Sequence, residues 1–171
     1  MRAAVRPFLL VLLAGAGCRT GASREVYAGV GPSVLPHVGG TLTAGQFFST
    51  HRERHHFAFE ARATFQGGRD APGQSGRFFQ AQAGVRQLVH PDRASHPVVR
   101  YGAVWLRATG DPAILSRPGD YLGAYLGIGY EWDLSPHVTV GPELNVLFLE
   151  GEGSLGFEVL PQLGFGIFWN F

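Results

Sequence analysis

The chain has 171 residues, enough for one domain, with a formal net charge of +1. Charged residues make up only 16% of it, against roughly 25% in a soluble domain, while glycine (25 residues) and aromatics (12%) are abundant. So small a charge excludes a strong electrostatic pull toward nucleic acid, and a single cysteine excludes an intrachain disulfide framework.

The first 17 residues read as a secretory signal. Arg2 and Arg6 precede an apolar core at 8–13 and a small-residue run at 14–17. That core is too short to cross a bilayer as a helix. Cys18 stands where a lipoprotein signal peptidase would leave it as the first residue, which makes it the candidate lipidation site. Gly15 occupies the place where such signals usually carry Leu. Cleavage after Ala16, leaving a free thiol, is the competing reading. Residues 18–24 form a short linker, and 25–171 form the folded domain.

From residue 25 onward, alternating runs are separated by turn-forming clusters, with no amphipathic helix of useful length. The pattern predicts eight strands, over 25–35, 38–49, 55–66, 77–89, 97–108, 120–134, 138–149 and 155–171. Strand side chains point to opposite faces in turn, so the phase of each run separates two faces. In the third, Phe57, Phe59, Ala61, Ala63 and Phe65 oppose His56, Ala58, Glu60, Arg62, Thr64 and Gln66. In the fourth, Phe79, Ala81, Ala83 and Val85 oppose Gln80, Gln82, Gly84 and Arg86. In the sixth, Leu122, Leu126, Ile128, Tyr130 and Trp132 oppose Tyr121, Tyr125, Gly127, Gly129 and Glu131. In the seventh, Val138, Val140, Leu144, Val146 and Phe148 oppose Thr139, Glu143, Asn145 and Leu147. In the eighth, Leu163, Phe165, Ile167, Trp169 and Phe171 oppose Glu158, Leu160, Gln162, Gly164, Gly166 and Phe168. The first, second and fifth runs alternate more weakly. Pro32, Pro142 and Pro161 fall inside strands. Proline removes a ladder donor, so a bulge is expected at each.

Eight strands of about ten residues match tilted strands crossing an outer membrane. Backbone polar groups in lipid must be paired, so such a sheet has to close on itself. The expected fold is all-β: an eight-stranded antiparallel up-and-down transmembrane β-barrel with both termini at one end. At that end lie the tight turn 134–137 and the longer link 50–54. At the other end lie two longer loops, 67–76 and 109–119, and short ones near Pro36 and at 150–154. Aromatics near strand ends read as interfacial girdles: Tyr130, Trp132, Trp169 and Phe171 on one side, Trp105, Phe148 and Phe157 on the other.

The alternating terminal strand ending on Phe171 and the Gly-Ile-Gly-Tyr-Glu-Trp-Asp-Leu-Ser-Pro segment at 127–136 carry a resemblance. The chain resembles the small eight-stranded outer-membrane β-barrels, the class of the outer-membrane protein A transmembrane domain, OmpX and the opacity-type adhesins. The likeness of pattern extends over roughly 24–171. It implies an outer-membrane location among outer-membrane lipid and lipopolysaccharide. It also implies that Phe165, Ile167, Trp169 and Phe171 form the signal read by the barrel-assembly machinery. It brings no catalytic residue.

The inward face carries both signs of charge. Glu60, Arg62, Arg86, Arg100, Glu131, Glu143 and Glu158 are placed in the lumen, joined by Gln80, Gln82, Asn145 and Gln162. The interior of an eight-stranded barrel is just filled by side chains, and unpaired buried charge is costly, so a plug of salt bridges is expected. The alternative is a narrow gated path, with room supplied by Gly123, Gly127, Gly129, Gly164 and Gly166.

Six of the seven histidines fall near the termini end: His51, His55, His56, His90, His96 and His137. Water-exposed turn histidines are the expectation there, against a metal or pH-sensing cluster, and no cofactor is called for. A lipid-modifying enzyme would need Ser and His together near the outer leaflet. The nearest pairs, Ser49 with His51, Ser95 with His96 and Ser135 with His137, lie at the other end. A lipid-anchored lipocalin-like barrel would turn its apolar face inward around a ligand. The expected role is therefore a structural or surface-interaction barrel, without enzymatic activity, with 67–76 and 109–119 as the contact surface for an extracellular partner.

Overall fold

In the computed structural model the described residues are 26–48, 55–71, 74–91, 93–110, 114–151 and 157–171. The signal reading of 1–17, the lipidation site Cys18 and the linker 18–24 lie outside them, as do Ser49 and His51.

Eight strands follow in order: β1 (Val26–Ser33), β2 (Gly39–Phe48), β3 (His55–Ala71), β4 (Gln74–Val89), β5 (Ser95–Gly110), β6 (Gly119–Ser135), β7 (Val138–Gly151) and β8 (Phe157–Asn170). Each pairs antiparallel with the next, and β8 returns to β1, so the sheet is a closed barrel. The seam runs from Tyr27 opposite Asn170 to Ser33 opposite Gly164. Beyond it, the backbone N–H of Phe171 donates to the Val26 carbonyl at 2.9 Å.

The alternation read from the sequence is realised as inside and outside. Even-numbered residues of β3 from Ala58 to Gln66 are buried, and Phe59 and Phe65 are exposed. Leu122, Leu126 and Ile128 on β6, Leu144 and Phe148 on β7, and Phe157 and Val159 on β8 all stand outward. An exposed belt of large apolar side chains on every side of a closed sheet would be ruinous in water. It is the surface that hydrocarbon requires. The polar set faces inward, the inverse of a soluble barrel enclosing a greasy ligand.

Three sequence expectations are corrected. Pro32, Pro142 and Pro161 cause no bulge. Pro32 stays opposite Gly40, Pro142 opposite Phe165 and Pro161 opposite Val146, each with its neighbours in unbroken register. All three point outward and are exposed. A proline forfeits one N–H on one side of its strand, and the ladder resumes without an inserted residue. The register shifts fall instead at Arg69/Ala71 and at Asp133/Ser135.

The loop expected at 67–76 is largely strand, because Gly67 pairs with Arg77, Gly68 with Gly76 and Ala71 with Gln74. Its glycines read as loop signals, but glycine only weakens a strand, and both partners continue together. The loop expected at 109–119 loses its ends to β5 and β6. Of its middle, Leu115 is buried.

An Arg at mid-height on the lipid face of such a barrel costs about 2–4 kcal/mol, and about 0–1 kcal/mol near the interface. Leu126→Arg should therefore destabilise the barrel by about 2–4 kcal/mol in urea titrations in phosphatidylcholine vesicles, whereas Asp120→Arg at the rim should cost about 1 kcal/mol or less. A neutral Leu126→Arg would contradict the lipid-facing assignment.

Candidate functional site

The inward residues of the eight strands form three layers. Nearest the termini, Tyr27, Phe47 and Phe168 make an aromatic collar around Arg86. The Arg86 guanidinium carbon lies 4.5 Å from the Tyr27 ring centroid, 4.8 Å from that of Phe168 and 5.6 Å from that of Phe47. Ring faces attract a cation without needing its N–H groups, which helps hold this one out of water.

The middle layer is ionic, and Arg100 is its hub. Its Nε lies 3.2 Å from Glu60 Oε1, its Nη2 2.9 Å from Glu131 Oε1 and its Nη1 3.4 Å from Glu143 Oε2. Arg62 pairs with Glu143, and Arg86 with Glu131, each through Nη2. Tyr27 donates its hydroxyl to Glu60 Oε2 at 2.7 Å. Three arginines and three glutamates thus form one connected set with no net formal charge, each of the six at most 7% exposed. Unpaired charge at such depth would be far more costly than this balanced set.

Room for these long side chains comes from facing glycines. A Cβ on Gly129 would lie 3.3 Å from Arg100 Nη1, and one on Gly164 3.2 Å from Glu143 Oε1. On Gly127 it would meet Asn145 Oδ1 at 2.1 Å. The space that these three glycines open is occupied by Asn145, Arg100 and Glu143.

Beside the cluster lies an amide ladder. Gln162 Nε2 donates to Gln80 Oε1 at 2.6 Å, and Gln66 Nε2 donates to the Leu35 carbonyl at 2.8 Å. The third layer, toward the loop end, is apolar on one side: Phe78, Val104, Leu106, Tyr121, Tyr125, Leu147, Leu149 and Leu160, with Leu115 folded in from the β5–β6 connection, while Gln66 opposite Phe78 and Gln80 opposite Leu106 keep its other side polar. At the termini end a cavity of about 400 Å³ opens, lined by Phe47, His56, Arg86, His96, Glu131 and Asn170 among others. No residue of the apolar layer lines it.

Six of the seven charges expected in the lumen are thus brought together, and Glu158 is not. Although its phase is inward, it lies at the loop-end rim. It accepts a hydrogen bond from the Ser116 backbone N–H at 3.1 Å and another from the Ser116 hydroxyl. β8 begins only one residue before it, so the barrel wall beside Glu158 is already the mouth.

His96 is also corrected. It is no solvated turn residue but is 3% exposed, with Nε2 3.8 Å from Glu131 Oε2. Among the described residues no group of three or more His, Cys, Asp and Glu is arranged to hold a metal. The Ser95 hydroxyl meets the Tyr130 hydroxyl at 3.0 Å, and the Ser135 oxygen accepts the His137 backbone N–H at 3.2 Å. Neither serine is therefore directed at its neighbouring imidazole. Phe165, Ile167, Trp169 and Phe171 lie along the outward face of the closing strand and just beyond it. Sequence reading missed Tyr27 and His96 as partners of the ionic cluster, and the apolar layer as a layer. The weak alternation of the first and fifth runs hid Tyr27, Val104 and Leu106, and nothing in the composition of the 109–119 loop marked Leu115 as inward.

No protein-family model matches the chain, and neither does any curated protein. Solved structures do. Ail, the attachment invasion locus protein of Yersinia pestis, is 11% identical over 88% of this chain and 100% of its own, with a TM-score of 0.58. Neisserial surface protein A is 16% identical over 89% of this chain and 100% of its own, with a TM-score of 0.57. The outer membrane protein OprG of Pseudomonas aeruginosa is 10% identical over 88% and 96%, with a TM-score of 0.52. What is shared at such identities is the fold, the eight-stranded antiparallel barrel of small outer-membrane proteins.

Removing the hub of the ionic layer would leave three carboxylates short of a cation. Breaking a buried pair from one side costs about 3–5 kcal/mol, so Arg100→Met should lower unfolding free energy by about that amount in urea titrations read by heat-modifiable gel mobility. Glu158→Gln, at the rim, should cost about 1 kcal/mol. Equal effects would contradict the placement of Glu158 outside the network.

Proposed function

We propose that this chain resides in the outer membrane, termini toward the periplasm, as a closed barrel with a structural or surface-interaction role. The observation that carries this reading is the filled lumen. A charge-balanced cluster of six side chains occupies its middle, and an apolar cluster together with hydrogen-bonded glutamines occupies the loop end. An ion crossing it would have to displace Arg100 from three carboxylates and then pass between Phe78, Leu106 and Leu149 on one side and the hydrogen-bonded amides of Gln66, Gln80 and Gln162 on the other. The cavity at the termini end favours a narrow-pore reading, but its lining reaches Arg86 and Glu131 and stops there. A lipid-modifying role finds no support in the orientations of Ser95 and Ser135.

Among the described residues, the surface offered to an extracellular partner is the loop-end part of β3 and β4 together with the residues around Ser116. The filled lumen fits a role in the envelope through the barrel itself. The test is conductance in planar bilayers: the reconstituted protein should give no current steps, and reproducible steps would favour the pore.

The terminal strand is the proposed handle for the assembly machinery. Phe171 is 77% exposed and makes its backbone bond to Val26 beyond the strand end, so its side chain contributes little to the finished barrel. Deleting Phe171 should deplete the protein from outer-membrane fractions of cells while leaving refolding into detergent micelles intact. Depletion in cells together with failed refolding would assign the residue to stability instead.

A further inference from the structure

We infer that the outward face of β4 and β5 at the loop end binds the phosphate groups of outer-leaflet glycolipids, an inference that rests on the membrane placement proposed above. Between the two rims no outward position of the described strands carries a charged residue. The first charges above the apolar belt on β4 and β5 are Arg77 and Arg107. Arg77 is opposite Thr109, and Arg107 is opposite Phe79, so the two arginines are diagonal neighbours on one face, with Cβ atoms about 7 Å apart. Two guanidinium forks at that spacing reach a single phosphate group from both sides, the planar geometry in which arginine binds phosphate oxygens.

Their height is that of headgroups. Outward residues Arg77 and Gln87 are ten positions apart on β4, with Phe79, Ala81, Ala83 and Val85 between them on the same face. At about 3.3 Å per residue and a tilt of about 40°, that stretch projects to roughly 25 Å, the height of the apolar band of an outer-membrane barrel. Just below the pair lies an aromatic platform for acyl chains. Phe65 and Phe79 have ring centroids 5.9 Å apart, and Phe79 and Trp105 5.8 Å.

The sector is local. The same rim carries Asp120 on β6 and Glu150 on β7, so anionic headgroups are favoured on one side of the barrel and disfavoured on the next. Arg107 does approach Asp120, Nε to Oδ1 at 3.7 Å, but the two are 59% and 46% exposed. Such a pair is weak and yields readily to a phosphate.

The test uses the full chain in nanodiscs of phosphatidylcholine doped with bisphosphorylated lipid A, with bound lipid counted by native mass spectrometry. Wild type should retain lipid A, and the Arg77→Gln/Arg107→Gln double variant should retain it roughly tenfold less or weaker still. Both should hold dephosphorylated lipid A equally, and Arg93→Gln, at the other end, should behave as wild type. Equal retention by wild type and the double variant, or undiminished retention of the dephosphorylated lipid by wild type, overturns the site. Competition by inorganic phosphate at millimolar concentration would identify a free-anion site and overturn the lipid assignment. Failure of wild type to insert into pure phosphatidylcholine would overturn the membrane placement and the site with it, an outcome distinct from insertion without selective retention.

Discussion

A backbone that crosses hydrocarbon has no water to satisfy its N–H and C=O groups, so every one of them must find a partner within the sheet. That constraint makes β8 return to β1, and with closure the two faces of every strand acquire opposite surroundings. One face must suit lipid, and the other must fill a tube only as wide as eight strands allow. The period of two along each strand then does the sorting. A single residue's slip would carry Glu60, Arg62, Arg86 and Arg100 into the acyl chains, where a charge costs several kcal/mol, so the ionic cluster also guards the register.

The lumen divides its work by height. In the middle, long polar side chains fill the tube beside the aromatic collar and cavity of the termini end, and glycines on β6 and β8 leave them space. At the loop end, leucines and aromatics on one side meet paired glutamines on the other, with Leu115 folded in from a connecting segment. The charged layer alone could admit water through rearranging pairs, and the apolar layer alone would leave the register weakly specified. Together they give a barrel whose register is tightly specified and whose middle is filled. The balance of three arginines against three glutamates matters here, because a neutral cluster can be buried at a fraction of what its members would cost singly.

Much of this was legible in the chain. The strands with strong alternation, β3, β4 and β6 to β8, show their inward and outward residues directly, and five of the six clustered lumen charges follow from their phase, with Arg100 on the weaker β5. Phase gives the side of a residue and not its height, which is why Glu158 looked like a lumen charge when it lies at the rim. Gly67 and Gly68 looked like loop because glycine is read as a breaker, yet in paired strands their effect is small enough for the hairpin to continue past them. The prolines suggested bulges because a lost donor was equated with an inserted residue, whereas at Pro32 and Pro142 rungs are missing on one side with the register unchanged. The pairing itself, Arg100 with three carboxylates drawn from β3, β6 and β7, depends on stagger around the barrel, which no single strand encodes. The weak alternation of β1 hid Tyr27, and its partner Glu60 lies two strands away.

The central claim is that one face of this barrel meets lipid and that the other encloses a sealed interior. Methyl NMR in nanodiscs tests it without altering the chain. A lipid-tethered spin label should broaden the methyls of Leu126, Ile128, Leu144 and Val159 and spare those of Leu106, Leu147, Leu149 and Leu160. A water-soluble paramagnetic agent should spare both groups. Broadening of the second group by the water-soluble agent would mean an open lumen and would contradict the account, as would outward methyls untouched by the lipid label.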